Sequence, residues 1–79
     1  MSIEYRWGII LLKDNREEPT LDPPNFFVCS VWAWNKEIAL EKAVEKHPTA
    51  KVMYIDRMVG FISTQDYLNC WVEWMENQP

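Results

Sequence analysis

The chain has 79 residues, of which 48% are hydrophobic and 14% aromatic, and its formal net charge is −4. This length predicts a single domain over residues 1–79, and the hydrophobic content excludes a chain that stays disordered. The acidic balance argues against a protein that binds the phosphate backbone of nucleic acids, because that role needs a basic surface. We therefore expect a small folded domain without a nucleic-acid partner.

The first predicted strand is Ile3 to Leu12, whose alternate residues form one wholly apolar face and one mixed face. Its apolar far end is expected to lie in the middle of a sheet. The segment from Lys13 to Asn25 holds three prolines and four carboxylates, which predicts a solvent-exposed loop. Its carboxylates lack both the spacing of an EF-hand and the glycine of its sharp turn, so no calcium site is expected.

The second predicted strand, Phe26 to Ala33, is apolar on both faces, which indicates that both faces are covered. Asn35 is a typical helix N-cap residue, and Pro48 disfavours helical geometry at the residue before it. A helix is therefore predicted over residues 36–46. Five residues at helical spacing form its predicted buried face: Ala39, Leu40, Ala43, Val44 and His47.

The exposed side of this helix carries a row of glutamates one turn apart: Glu37, Glu41 and Glu45. Such a row is typical of a solvated face. It also fits partner binding, including mimicry of nucleic-acid phosphates against a basic enzyme groove. Lys42 and Lys46 form a second row, and Ile38 is predicted to lie exposed between the rows, as a further candidate contact residue.

Lys51 to Arg57 is the third predicted strand, and Met58 to Ile62 is a fourth, with one long bent strand as the alternative. Ser63 to Asn77 predicts a helix, because Ser63 and Asp66 have the spacing of a capping box. A strand is the alternative, since the composition of CWVEWM suits one. The preferred order is ββαββα. It describes an α+β domain with a small antiparallel sheet of three to four strands, a central helix and a C-terminal helix.

Motifs of catalysis and metal binding are missing from the sequence: it has no G-x-S-x-G, H-E-x-x-H or C-x-x-C, and two glycines cannot build a P-loop. Cys29 and Cys70 lie in apolar runs and are predicted to be buried free thiols of a reducing compartment. With His47 they would still lack a fourth zinc ligand, and His47 is interpreted as a helix-end residue. We expect no enzyme activity, metal or cofactor.

The longest early apolar run, Gly8 to Leu12, is too short for a signal-peptide core or a membrane span. We therefore expect a cytoplasmic protein without a membrane partner. Three of the five tryptophans are candidate partner-binding residues, because tryptophan is enriched in interface cores: Trp32, Trp34 and Trp74. The alternative is that they complete the core of the domain.

The passage VWAWNKEIALEKAVEKHPTAKVMYID resembles, at the level of class, small phage-encoded accessory proteins that include some anti-CRISPR inhibitors. Its pattern is a strand, a polar cap, alanines at i and i+4, and an apolar strand. The resemblance implies a stoichiometric binder that blocks a host enzyme or a defence complex in the bacterial cytoplasm. Our first hypothesis is thus a non-enzymatic protein-binding module. The alternatives are a structural subunit that forms a homodimer, and a protein that sequesters a small ligand.

Overall fold

Five secondary-structure elements make up the fold in a computed structural model, which describes residues 3–21, 23–60 and 63–77. In chain order they are strand β1 (Tyr5–Leu12), strand β2 (Phe26–Ala33), helix α1 (Lys36–Lys46), strand β3 (Lys51–Arg57) and helix α2 (Thr64–Glu76). The α+β class is confirmed. The predicted bounds of β2, α1 and β3 are also confirmed, whereas β1 begins two residues later than predicted.

Strand β1 is the centre of an antiparallel sheet whose strand order is β2-β1-β3. Trp7 of β1 pairs with Val31 on one side and with Arg57 on the other. Strand β1 has a neighbour at each edge, and its residues from Ile9 to Leu12 are at most 1% exposed. Both β2 and β3 are consequently edge strands.

Helix α1 covers one face of the sheet and contacts all three strands. It begins at Asn35, whose side-chain oxygen accepts a hydrogen bond from the Ile38 backbone N–H at 2.8 Å. Ala39 and Ala43 are completely buried against a cluster that includes Ile9 and Val31. Since alanine has a small side chain, the helix backbone lies close to the strands.

The rotation of α1 about its axis differs from the prediction. Val44, predicted to be buried, is 52% exposed, and Leu40 is only half-buried. Ile38, predicted to be exposed, is half-buried and packs against the cluster beneath α1. The contact is centred on Ala39 and Ala43, and the helix turns its Ile38 side, rather than its Val44 side, toward the sheet.

Helix α2 covers the other face, so the sheet lies between two helices. Strand β2 is covered on both sides near Phe26, as expected, but Trp32 near its other end is 58% exposed. The helix begins where the capping pattern predicted, with the Ser63 hydroxyl accepting a hydrogen bond from the Asp66 N–H at 3.2 Å. Tyr67 is buried with Ile10 and Phe26 in a second apolar cluster. The side chains between α2 and the sheet are therefore larger than those between α1 and the sheet.

The predicted fourth strand is wrong where it can be compared: Met58 to Gly60 contains no strand, and residues 61–62 lie outside the described part of the chain. Gly60 has a φ of +84°, in the left-handed region that glycine adopts most readily, so the chain turns here. The Met58 N–H donates to the Arg6 carbonyl at 3.0 Å and ends the pairing with β1. The order is thus ββαβα.

The loop between β1 and β2 is held together by the side chain of Asn25. Its NH₂ group donates to the Glu17 carboxylate at 3.1 Å and to the Glu18 carbonyl at 2.8 Å. Its oxygen accepts from the Thr20 N–H at 2.8 Å. One amide thus organises the predicted loop on the protein surface.

Candidate functional site

A groove lies between β3 and α2 on the side of the sheet that α2 covers. The backbone of α2 approaches β2 and β1 but not β3, so the side chains of this edge strand are left partly open. The cavity volume is about 300 Å³, the lower end of the range for ligand pockets. Residues of both elements line what we call the β3–α2 groove: Tyr54, Asp56, Arg57, Tyr67, Cys70, Trp71 and Trp74.

The position of α2 over β1 and β2 depends on two aromatic anchors. The Tyr67 hydroxyl donates to the Gly8 carbonyl at 3.0 Å, and the ring lies so close that a Cβ at Gly8 would be 2.9 Å from two ring atoms. Trp71 packs edge-on against Phe26, with 5.0 Å between ring centroids. These contacts draw α2 toward the β2 side of the sheet, which leaves the β3 side open.

The β3 wall of the groove is formed by Tyr54 and Asp56, which point to the same face of the strand. Tyr54 is 43% exposed, and its hydroxyl donates to the Asp56 carboxylate at 3.2 Å. Burial raises the pKa of the Tyr54 hydroxyl, and the Asp56 carboxylate raises it further. Burial, together with Tyr54 and Asp56, also raises the pKa of the Tyr67 hydroxyl. The surroundings of both hydroxyls thus disfavour their ionisation.

The α2 wall presents Trp74, which is 58% exposed, and Cys70, an exposed free thiol. The prediction that both cysteines are buried is therefore wrong for Cys70, because its side of the helix faces the uncovered strand. Cys29 is buried beneath α1, as predicted, and burial raises the pKa of its thiol. The Cys70 thiol is consequently exposed beside the groove, whereas the Cys29 thiol lies in the core.

The three candidate tryptophans are exposed, but they do not form one site. Trp32 is 58% and Trp34 is 56% exposed, and they lie at and just beyond the end of β2. Trp74 lines the groove beside β3, at the opposite edge of the sheet. Their role in partner binding stays a prediction, and only Trp74 belongs to the β3–α2 groove.

A second, shallower depression of about 530 Å³ follows the free edge of β2 between Trp32 and α1. The Lys42 ammonium donates to the Trp32 carbonyl and lies 3.5 Å from the Glu4 carboxylate. Glu45 and Lys46 also line this depression. Charges of both signs are therefore mixed at this edge.

The glutamate row on α1, formed by Glu37, Glu41 and Glu45, is exposed along its whole length. Glu45 also borders the depression beside β2. Ile38 turns toward the core instead of standing between the charged rows, so its selection as a contact residue loses its basis. The glutamate row is thus an exposed, charged face of α1.

Tyr54 and Asp56 are site residues that the sequence reading missed. The segment VMYID reads as an ordinary apolar strand, and nothing local shows that α2 leaves it uncovered. One signal was available in the sequence. A tyrosine and an aspartate two residues apart lie on the same face of a strand, and the other central residues of this strand are apolar. That face becomes a groove wall only through the path of α2.

His47 is a helix-end residue, as predicted: its N–H donates to the Ala43 carbonyl at 2.9 Å, and its ring packs against Phe27 with 4.9 Å between centroids. Within residues 3–21, 23–60 and 63–77, no three His, Cys, Asp or Glu side chains cluster as metal ligands would. In that same part of the chain, neither helix is long and apolar enough to cross a membrane.

Comparisons of the chain with protein-family models, with curated proteins and with solved structures find no match. Function is therefore inferred from the geometry of the β3–α2 groove.

Proposed function

We propose that the protein is a non-enzymatic protein-binding module that docks its partner at the β3–α2 groove. The observation that carries this proposal is the exposure of Trp74 and Tyr54, 58% and 43%, on the two walls of one concave surface. Tryptophan and tyrosine dominate the binding energy of protein interfaces. Contiguous exposed apolar patches on small soluble domains mark interaction sites.

The free edge of β3 adds a second means of recognition. In the part of the chain that the structure describes, no strand pairs with the outer backbone groups of β3, because it lies at the end of the sheet. An extended segment of a partner can pair with such an edge through main-chain hydrogen bonds, while its side chains enter adjacent pockets. The groove opens beside this edge, so strand pairing and insertion of a side chain can occur together.

The specific biological role that we favour is inhibition of a host enzyme or defence complex by a phage-type protein. Its support is the class-level resemblance of the strand-helix-strand passage. An inhibitor of this kind works by covering a surface of its target, which requires aromatic anchors and no catalytic residues. The β3–α2 groove supplies such anchors.

Self-association is the second candidate, and it is favoured by the exposed tryptophans at the other edge of the sheet. Trp32 and Trp34 lie beside the outer edge of β2, which has no neighbouring strand among the described residues and could pair with a second copy of the chain if Lys42 releases the Trp32 carbonyl. Light scattering at low micromolar concentration distinguishes the two functions. A stable dimer that Trp32→Ala dissociates would favour self-association, and a monomer would favour a different partner.

The proposed function is tested by recovering the partner with tagged protein from cells that express it. Trp74→Ala and Trp34→Ala are a matched pair, because both remove a tryptophan of nearly equal exposure and only Trp74 lines the groove. We expect a stoichiometric partner to be retained by Trp34→Ala and lost by Trp74→Ala. Equal recovery by both variants, with their folding intact, would refute docking at the groove.

A further inference from the structure

We infer that the β3–α2 groove receives an arginine side chain, presented by a basic segment of the protein partner. This inference rests on the proposed function and specifies the chemistry of its partner. Three properties of the groove support it: the acidic residues of the neighbouring helix α2, the aromatic rings of its lining, and an exposed carboxylate on its β3 wall. Each belongs to described residues.

The groove lining holds one carboxylate, Asp56, and one guanidinium, Arg57, whereas the charged residues of helix α2 outside the lining are all acidic. Helix α2 carries Asp66, Glu73 and Glu76 and has no basic residue in its sequence. Asp56 adds a carboxylate from the β3 wall. The whole chain has a net charge of −4, so the long-range field also attracts a basic segment.

The Asp56 carboxylate is held in position and is not neutralised by an ion pair. One oxygen accepts from the Tyr54 hydroxyl at 3.2 Å, and the other accepts from the Arg57 backbone N–H at 2.8 Å. Within the described ranges, Asp56 forms no ion pair. A carboxylate has about four acceptor sites, so it can still bind a guanidinium group.

The one basic residue that lines the groove has its charged group engaged elsewhere. The Arg57 guanidinium lies 3.9 Å from the centroid of the Tyr5 ring, and Tyr5 is not part of the groove lining. Its charge is therefore directed toward β1. This contact also shows that the fold stabilises a guanidinium against an aromatic face.

The aromatic lining suits a planar cation better than a compact one. Tyr54, Trp71 and Trp74 provide rings on both walls, and cations are attracted to the faces of such rings. A guanidinium is planar and weakly hydrated, and it stacks on rings while forming paired hydrogen bonds to a carboxylate. A lysine ammonium would have to give up more of its hydration to enter the same space.

The test uses a capped peptide of alternating valine and arginine, which can pair with β3 and present arginines to the groove. Its control is the same peptide with citrulline in place of arginine, which keeps the shape and removes the charge. Binding is followed by NMR through the indole N–H signals of Trp74 and Trp34. We expect saturable shifts of the Trp74 signal, an unchanged Trp34 signal, and roughly tenfold weaker binding of the citrulline peptide.

Two variants make the assignment specific. Asp56→Asn should weaken binding of the arginine peptide roughly tenfold and leave binding of the citrulline peptide unchanged. Trp74→Ala should weaken binding of both peptides, and it provides a second measurement if Asp56→Asn alters the fold. Melting curves of each variant establish that the domain is intact.

Equal affinity of the two peptides, or an arginine affinity that Asp56→Asn leaves unchanged, would overturn the inference. So would shifts of the Trp34 signal as large as those of Trp74, since these would indicate non-specific attraction to an acidic protein. Absence of binding by both peptides would overturn it as well. In each case, loss of the natural partner in Trp74→Ala would still support docking at the groove, so the two proposals fail separately.

Discussion

The two helices cover the same sheet with different side chains, and the difference determines where the surface is open. Helix α1 approaches through Ala39 and Ala43, which are completely buried, and it contacts all three strands. Helix α2 approaches through Tyr67 and Trp71, and its backbone comes close only to β2 and β1. The helix with small contact residues, α1, therefore closes its face of the sheet. The helix with bulky contact residues, α2, leaves a groove beside β3.

The groove results from the way in which aromatic side chains attach α2 to the sheet. Aromatic anchors fix one end of a helix firmly, but they also hold its backbone away from the strands. Trp71 packs against Phe26. Trp74, three residues later on the same helix, lines the groove beside β3, which the backbone of α2 does not approach. Structural and binding residues thus follow one another on a single helix.

The largest effect that we expect is loss of stability in Trp71→Ala. Removing this ring deletes the contact with Phe26 and leaves a cavity beneath α2, at a cost of about 3 kcal/mol. Trp74→Ala should change the free energy of unfolding by less than about 0.5 kcal/mol, because its ring is mostly exposed. Urea denaturation of both variants measures the difference. Equal destabilisation would mean that Trp74 is also a structural anchor.

A smaller effect is expected from enlarging the contact residue of α1. Ala43→Leu should destabilise the domain by roughly 1–3 kcal/mol, because the helix has no space beneath it for a larger side chain. Val44→Leu is the matched control, since Val44 is the next residue and 52% exposed. Thermal melts that show no difference between the two variants would contradict the close packing of α1.

The smallest effect concerns the thiols, which should differ in reactivity without any change in stability. Iodoacetamide should modify the exposed Cys70 first, and it should modify Cys29 at least about a hundredfold more slowly, because the buried thiol reacts only when the structure opens. Burial also raises the pKa of Cys29, which lowers its thiolate fraction at neutral pH. Mass spectrometry after partial labelling measures both rates. Similar rates would show that the α1 face is not closed.

Local sequence signals predict most of the fold. Asn35 and Pro48 mark the ends of α1, and Ser63 marks the start of α2, because capping and backbone restriction act within a few residues. The apolar far end of β1 also predicted its place in the middle of the sheet, whereas the identity of its two neighbours depends on pairing between distant segments. Gly60 was compatible with a bulge or a turn, and only the structure shows that it turns the chain.

The site was less predictable than the fold. Trp74 could be selected because tryptophan is enriched in interface cores, but Tyr54 and Asp56 become site residues only when α2 leaves β3 open. The rotation of α1 was also mispredicted. The helix contacts the sheet through Ala39 and Ala43. The larger apolar residues Leu40 and Val44 led to the prediction that a different face of the helix is buried. Packing geometry, which no short segment encodes, decides both outcomes.

The central place of β1 has a consequence for synthesis of the chain. This strand precedes both of its partners in sequence, and its segment from Ile9 to Leu12 is the most deeply buried part of the protein. On the ribosome, the β2 partner arrives first, and the second edge stays unpaired until β3 has emerged. A nascent chain that ends before Lys51 therefore exposes an apolar strand edge, the kind of surface that chaperones protect from aggregation.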